Sequence, residues 1–205
     1  DAGSSDPYFA SRAVGECYAM TSEIPTSVLR FSAVFGVGDE FTNVMAALVR
    51  LGPLVPVPGN GQSRFQPIHV NDVARTIVHA VTSDMSSSNP LELGGPDILS
   101  YSQILDEIGL ILGRRMLKLH LPSKLLVGAA GLLDTMLEHS PVTPNQLRML
   151  RQDNVVSVCL GPIFKEKFGF LPRPLHGNID YLRKIHAKEA FQILFGRMPP
   201  YIRDH

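Results

Sequence analysis

Cysteine is scarce in this 205-residue sequence: there are two, Cys17 and Cys159, and they form no CxxC pair. A disulfide framework and a thiolate zinc site are both disfavoured, and a reducing compartment fits. The seven histidines are scattered and no HExxH occurs, so no metal is expected. A surplus of either charge is missing too. Lys+Arg and Asp+Glu are both 19, and the formal net charge is zero. Nucleic-acid binding, which runs on a basic excess, is not expected. No apolar run is long enough to span a bilayer; that from Leu125 to Leu133 stops well short. The sequence opens at Asp1 without a charged and then apolar stretch, so no signal peptide is expected.

What is present is ordinary for a globular protein: 44% hydrophobic and 19% charged residues. The length suits one domain, or one and a half smaller ones. Asp6-Pro7 is a good helix opening, and the helix reaches about Met20 before Pro25 breaks the pattern. Ser27 to Phe35 reads as one buried strand and Gly36 to Asp39 as a turn. Phe41 to Leu51 is apolar at helical spacing, whereas Gly52 to Gly61, rich in glycine and proline, reads as a loop. Phe65 to Val70 is a short strand, and Asn71 caps a helix from Asp72 to about Thr82. After a serine-rich loop comes a short strand, Leu91 to Leu93, ended by Gly94-Gly95-Pro96.

Ser100 with Gln103 makes a capping box, and Gly113 stops the helix that follows. Leu117 to Leu119 reads as a strand, and Ser123 to about Glu138 as an apolar helix. Thr143-Pro144 with Gln146 repeats the capping pattern. Ile163 to Phe168 and Leu175 to Phe195 read as helical. Strands alternate with helices to about residue 120, and helices dominate afterwards. This predicts an α/β fold: the closing part of a Rossmann-type, doubly wound parallel sheet with a mainly helical second lobe. The predicted division is 1–95, the sheet half with interleaved segments of the second lobe, and 96–205, the helical lobe.

Two side chains on the first helix suggest chemistry. Tyr8 and Arg12 are four apart and share a face. A fixed cation beside a phenol favours the phenolate and suits acid/base work, although such a pair is more often a surface stack. Arg12 and Glu16 share the same spacing and are candidates for an ion pair. Gly128-Ala129-Ala130-Gly131 lies inside an apolar helical pattern and reads as close helix packing rather than a phosphate loop.

The order of the downstream segments adds to this. Leu29 to Gly38 (LRFSAVFGVG), Gly59 to Ala74 (GNGQSRFQPIHVNDVA) and Leu91 to Pro96 (LELGGP) follow the Tyr8/Arg12 helix. In this order they resemble the second half of extended and atypical short-chain dehydrogenases/reductases, the NAD-dependent epimerase/dehydratase-like proteins. The closest likeness is to the branch of the NAD(P)H-binding accessory subunit of respiratory complex I and its bacterial relatives. Leu117 to Pro122 and Thr143 to Asn154 share that likeness.

The resemblance implies NAD or NADP as cofactor. It places Tyr8 at the catalytic tyrosine and Arg12 at the lysine that holds the nicotinamide ribose. Arginine keeps the charge but is longer, planar and forked. Phe31, Ser32, Ala33 and Val34 match the strand end beside the nicotinamide, with Phe31 replacing the usual proline. Arg64, Gln66 and His69 match positions that face or support the substrate, and Asp72 reads as a helix cap and dipole partner. The glycine-rich phosphate loop and the catalytic Ser/Thr of the family fall upstream of Asp1.

Two functions follow from the resemblance. One is an oxidoreductase using Tyr8 and Arg12 on an unknown small-molecule substrate. The alternative is a non-catalytic NAD(P)H-binding accessory or assembly subunit of a complex I-like assembly. The apolar segment Leu125 to Leu137 in the helical lobe is a candidate protein-partner or membrane-surface contact. Localisation would be cytoplasmic in a bacterium, at the membrane's inner face, and on the matrix side of the inner mitochondrial membrane in a eukaryote.

Overall fold

A computed structural model describes residues 7–83, 89–136, 143–150, 152–156, 160–195 and 199. It is a mixed α/β structure, as predicted. Helix α1 (Pro7–Met20) leads into β1 (Leu29–Phe31) and β2 (Val34–Phe35). The predicted strand 27–35 is therefore two. β1 pairs in parallel with β6 (Leu91–Leu93), and β2 pairs in parallel with β5 (Ile68–His69). Ser32 and Ala33 make the handover: Ser32 N–H donates to Leu93 O at 2.9 Å, and Ala33 O accepts from Ile68 N–H at 2.9 Å. One extended segment thus serves two partners in turn.

The predicted strand 65–70 is also divided, into β4 (Arg64–Phe65) and β5. Pro67 between them has no N–H for a ladder. β4 pairs antiparallel with β7 (Leu99–Ser100). The helix after β5, α3 (Val70–Thr82), begins earlier than predicted. Its cap is His69, whose Nδ1 accepts the Asn71 N–H at 3.1 Å, and not Asn71.

A larger correction concerns residues 52–61. The stretch holds a five-residue strand, β3 (Leu54–Pro58), paired in parallel with β8 (Leu117–Leu121). The prolines hid it, and the ladder explains why they are tolerated. Gly59 N–H donates to Leu121 O at 2.9 Å and Pro53 O accepts from Leu117 N–H. Residues 53, 55, 57 and 59 therefore turn their backbone groups toward β8. Pro56 and Pro58 fall on the other parity, where no N–H is needed. Val55 and Val57 face inward and are fully buried.

The other helices are α2 (Thr42–Leu51), α4 (Tyr101–Leu112), α5 (Ser123–Met136), α6 (Pro144–Met149), α7 (Leu160–Phe168) and α8 (Ala187–Leu194). The predicted capping boxes at Ser100/Gln103 and Thr143/Gln146 are both formed. Gly113 takes the left-handed conformation at φ 61° that ends α4. The predicted helix 175–195 is instead a turn, a 3-10 segment (Asp180–Lys184) and then α8. Ile185 and His186 are extended, and His186 with Glu189 starts the chain afresh as a capping box. In the stretch Gly128–Gly131, expected to pack closely, Ala130 is buried, while a Cβ built at Gly128 would meet nothing within 4 Å. Asp6, residues 84–88 of the serine-rich loop and the stretch 137–142 lie outside the described residues.

Two cores result. The larger gathers Phe35, α2, Val55, Val57, Phe65, α4 and the tail from Leu175 to Ile193. The smaller sits against β1, β5 and β6 and is aromatic, with Phe164, Phe168 and Phe170 around Ile68 and Leu93. Among the described residues no helix is long and apolar enough to cross a membrane.

Candidate functional site

Parallel strands present their ligands at their carboxyl ends. Here that end is where β1 and β6 finish, at Ser32 and at Gly94-Gly95. Gly95 has to be glycine, since a Cβ would lie 1.8 Å from the Pro67 carbonyl oxygen. The close approach is fixed by Gln66, which is 5% exposed. Gln66 O accepts from Gly95 N–H at 3.1 Å, and its Nε2 donates to Gly95 O at 2.8 Å. Gln66 Oε1 accepts from Val156 N–H at 3.2 Å. Every polar atom of this side chain is engaged with backbone.

A segment from Asp153 to Val156 closes the same spot. Asn154 O accepts from Ser32 Oγ–H at 3.0 Å and from Gln66 N–H at 3.0 Å. Asn154 N–H donates to Arg64 O at 2.7 Å. Arg64 itself lies along Asp153, with Nε at 2.8 Å and Nη2 at 2.7 Å from Oδ2. The arginine beside it holds the Asp153 carboxyl below the usual carboxylate range, first through the Arg64 backbone N–H and then through its side chain. Ser32, Arg64 and Gln66 are thus brought together around one backbone segment.

His69 stands one residue pair further along. Its ring meets Phe35 edge to face at 5.1 Å. Burial lowers its pKa, and Arg173 adds to the effect. Phe31 and Val34 pack on the aromatic core and Ala33 on the larger one. Asp72, read as a cap, is fully buried and does something further: its Oδ2 accepts the Arg173 N–H at 2.7 Å, and its Oδ1 lies 3.7 Å from Arg173 Nε.

Tyr8 and Arg12 share a helix face, and the Arg12 guanidinium lies over the Tyr8 ring, 5.4 Å from its centroid. Arg12 does not hold Glu16. That carboxylate takes Arg30 of β1 in a two-point contact, Nε at 2.8 Å and Nη2 at 2.9 Å. The contact holds the Glu16 carboxyl below its usual range, chiefly through the Arg30 hydrogen bonds. It also turns the Tyr8-Arg12-Glu16 stripe toward β1.

Two features escaped the sequence. One is the Asp153-Asn154 clamp, visible only as a polar end to TPNQLRMLRQDN. The other is Asp39, read as a turn residue. Its carboxylate accepts from Gly36 N–H, Phe41 N–H, Thr42 N–H and Oγ1–H, Asn43 Nδ2–H and Tyr181 OH. The Asp-x-x-Thr spacing at the head of α2 was the available signal; Tyr181, 142 residues away, was not. Burial raises the Asp39 pKa despite these donors. Among the described residues no group of His, Cys, Asp and Glu could hold a metal ion.

No protein-family model matches the chain. It is similar to the mitochondrial NADH-ubiquinone oxidoreductase 40 kDa subunit of Neurospora crassa, 24% identical over 157 residues, or 76% of this chain and 40% of that protein. It is also similar to the mitochondrial NADH dehydrogenase (ubiquinone) 1 alpha subcomplex subunit 9 of Arabidopsis thaliana, 32% identical over 90 residues, or 43% of this chain and 22% of that protein. The chain spans less than half the length of these curated relatives. Its fold is similar to a dTDP-glucose 4,6-dehydratase of Bacillus anthracis solved in complex with NAD, at TM-score 0.60 and 16% identity over 87% of this chain and 51% of that one. The UDP-glucose 4-epimerase of Thermotoga maritima gives TM-score 0.58 and 16% identity over 86% and 50%. The Rossmann-type α/β fold and the likeness to complex I accessory subunits, both expected from the motifs, are what these comparisons find.

Proposed function

We propose that this chain forms the nicotinamide side of an NAD(P)-binding site in an extended short-chain dehydrogenase-like protein. The observation that carries it is the place of Ser32-Ala33, at the carboxyl ends of parallel β1 and β6, beside the glycine pair of Gly94-Gly95. Helix α1 is pinned to β1 by Glu16–Arg30. Tyr8, eight residues back on the same face, is ~12 Å further along the helix axis. A helix joined to the next strand by a short loop runs back along it, so α1 carries Tyr8 and Arg12 toward the strand end.

In this reading Phe31, Ser32, Ala33 and Val34 line the nicotinamide pocket. Arg12 offers the ribose a cation, and Tyr8 holds a proton at its phenolic oxygen. NAD(P), when bound, supplies a hydride donor or acceptor. Arg64, Gln66 and His69 support the substrate side, Gln66 by fixing the backbone and not by touching a ligand. The boundary near residue 95 separates sheet-side from lobe-side sequence, with α2 and β3 contributed early to the lobe.

Holding NAD(P)H without turnover, as a subunit of a respiratory NADH dehydrogenase, is favoured by one observation. The Arg12 cation lies over the tyrosine ring, where it stacks. The names of the relatives support the same reading, and with it a protein-partner assembly and a mitochondrial site in a eukaryote.

Fluorescence titration with NADH and NADPH, run beside a turnover assay, tests both. Arg12→Ala should weaken binding about tenfold or more, the loss of a hydrogen bond to a charged group. Tyr8→Phe should leave binding intact. Unchanged affinity in Arg12→Ala overturns the placement of Arg12. Steady NAD(P)H consumption that Tyr8→Phe abolishes establishes the enzyme reading over the accessory one.

A further inference from the structure

The outer face of the β3–β8 pair is apolar and exposed. Leu54 is 58% exposed, Leu117 67% and Leu119 46%. The register places Leu54 beside Leu117 and Pro56 beside Leu119. Alternation puts these four on one face, because Val55 and Val57 between them are fully buried on the other. Leu51, 42% exposed, ends α2 just before β3, and Leu125, 60% exposed, opens α5 just after β8. Neighbouring leucines exposed to water on one face of a strand pair mark an interaction surface.

Charge says what kind. From Arg50 to Gln62 and from Arg114 to Leu125 there is no Asp or Glu, while Arg50, Arg114, Arg115, Lys118 and Lys124 are present with His120. Arg50 is turned to the backbone, its Nε donating to Ile185 O, and Lys118 is tied back to Asp106 of α4. Arg114 and Arg115 at one end of β8 and Lys124 at the other remain exposed, as does His120. The whole chain has zero net charge, so this run of cations is local.

We propose that the β3–β8 face docks on an anionic bilayer surface. The leucines insert at the level of the headgroups, and Arg114, Arg115 and Lys124 meet lipid phosphates around them. The exposed charges flanking the leucines, Arg114, Arg115 and Lys124, are all cationic, and no Asp or Glu lies from Arg50 to Gln62 or from Arg114 to Leu125, so the face complements an anionic surface. The proposal does not rest on dinucleotide binding.

Flotation of the protein with vesicles of equal parts phosphatidylglycerol and phosphatidylcholine, beside vesicles of phosphatidylcholine alone, tests it without nucleotide. Binding is expected only to the anionic vesicles and should fall as salt rises. Changing Arg114, Arg115 and Lys124 together to Gln should weaken it about a hundredfold, at about 1 kcal/mol per cation near the surface. Leu117→Ser should weaken it as well, while Val81→Ser, an equally exposed control on α3, should not. The three-Gln variant alters no packed side chain, so the test stands even if Leu117→Ser misfolds. Equal binding to both vesicle types, no loss in the three-Gln variant, or pull-down of a protein in place of vesicles each overturns the proposal.

Discussion

The lobe side and the sheet side of this molecule are both tied to the C-terminal tail through carboxylates, and two of these, Asp39 and Asp72, are held differently. In the lobe, Asp39 collects six donors, the last of them Tyr181 of the tail. On the sheet side, Asp72 takes the Arg173 backbone N–H on one oxygen and only the distant guanidinium on the other. The lobe core around Asp39 is mainly aliphatic and runs through α2, α4 and the tail. The sheet-side core is a small aromatic group, with Arg75 stacked on Phe170 at 3.9 Å. The lobe is tied together at a polar centre in which the Asp39 carboxylate has six donors. The sheet side, where the candidate nucleotide pocket lies, rests on fewer and looser ties, as binding regions often do.

Asp39→Ala should sharpen that contrast most. It orphans six donors and should cost about 3–5 kcal/mol of unfolding free energy in denaturant titration. Asp72→Ala should cost less, about 1–3 kcal/mol, because the half-exposed Arg173 guanidinium can return to water. The reverse ranking would break the comparison. Asp39 also leaves a mark in pH. Burial holds its folded pKa above the ordinary 3.8, so the folded state binds the proton more tightly than the unfolded chain. Its contribution to stability is full below 3.8 and is lost as pH rises through the folded value. Asp39→Asn should remove that slope; a slope that persists assigns it elsewhere.

The sequence was informative where structure is local. The Ser100/Gln103 and Thr143/Gln146 boxes, the stop at Gly113 and the parallel character of the sheet were all legible, because each is written within a few residues or in periodicity. β3 was not, because its prolines read as a loop until the parity of its ladder is known. Nor was the break at Ile185-His186, which a helical apolar pattern runs straight through. At the site, the motifs named Ser32, Arg64 and Gln66, but not the Asp153-Asn154 segment that gathers them. That clamp is a contact across 88 residues or more, invisible to spacing.

The smallest effect concerns α1. Glu16→Gln should cost no more than about 0.5–1 kcal/mol, since Arg30 is half exposed and surface ion pairs contribute little. It should nonetheless loosen α1 and weaken NADH binding more than it lowers stability. Equal loss in both would make the Glu16–Arg30 contact merely structural.

The most direct test of the central claim is hydrogen exchange followed with and without saturating NADH. The account predicts slower exchange at the amides of Phe31 to Val34 and in the Tyr8–Arg12 turn of α1, with the 3-10 segment and α8 unchanged. Protection confined to the lobe, or none anywhere, would contradict it.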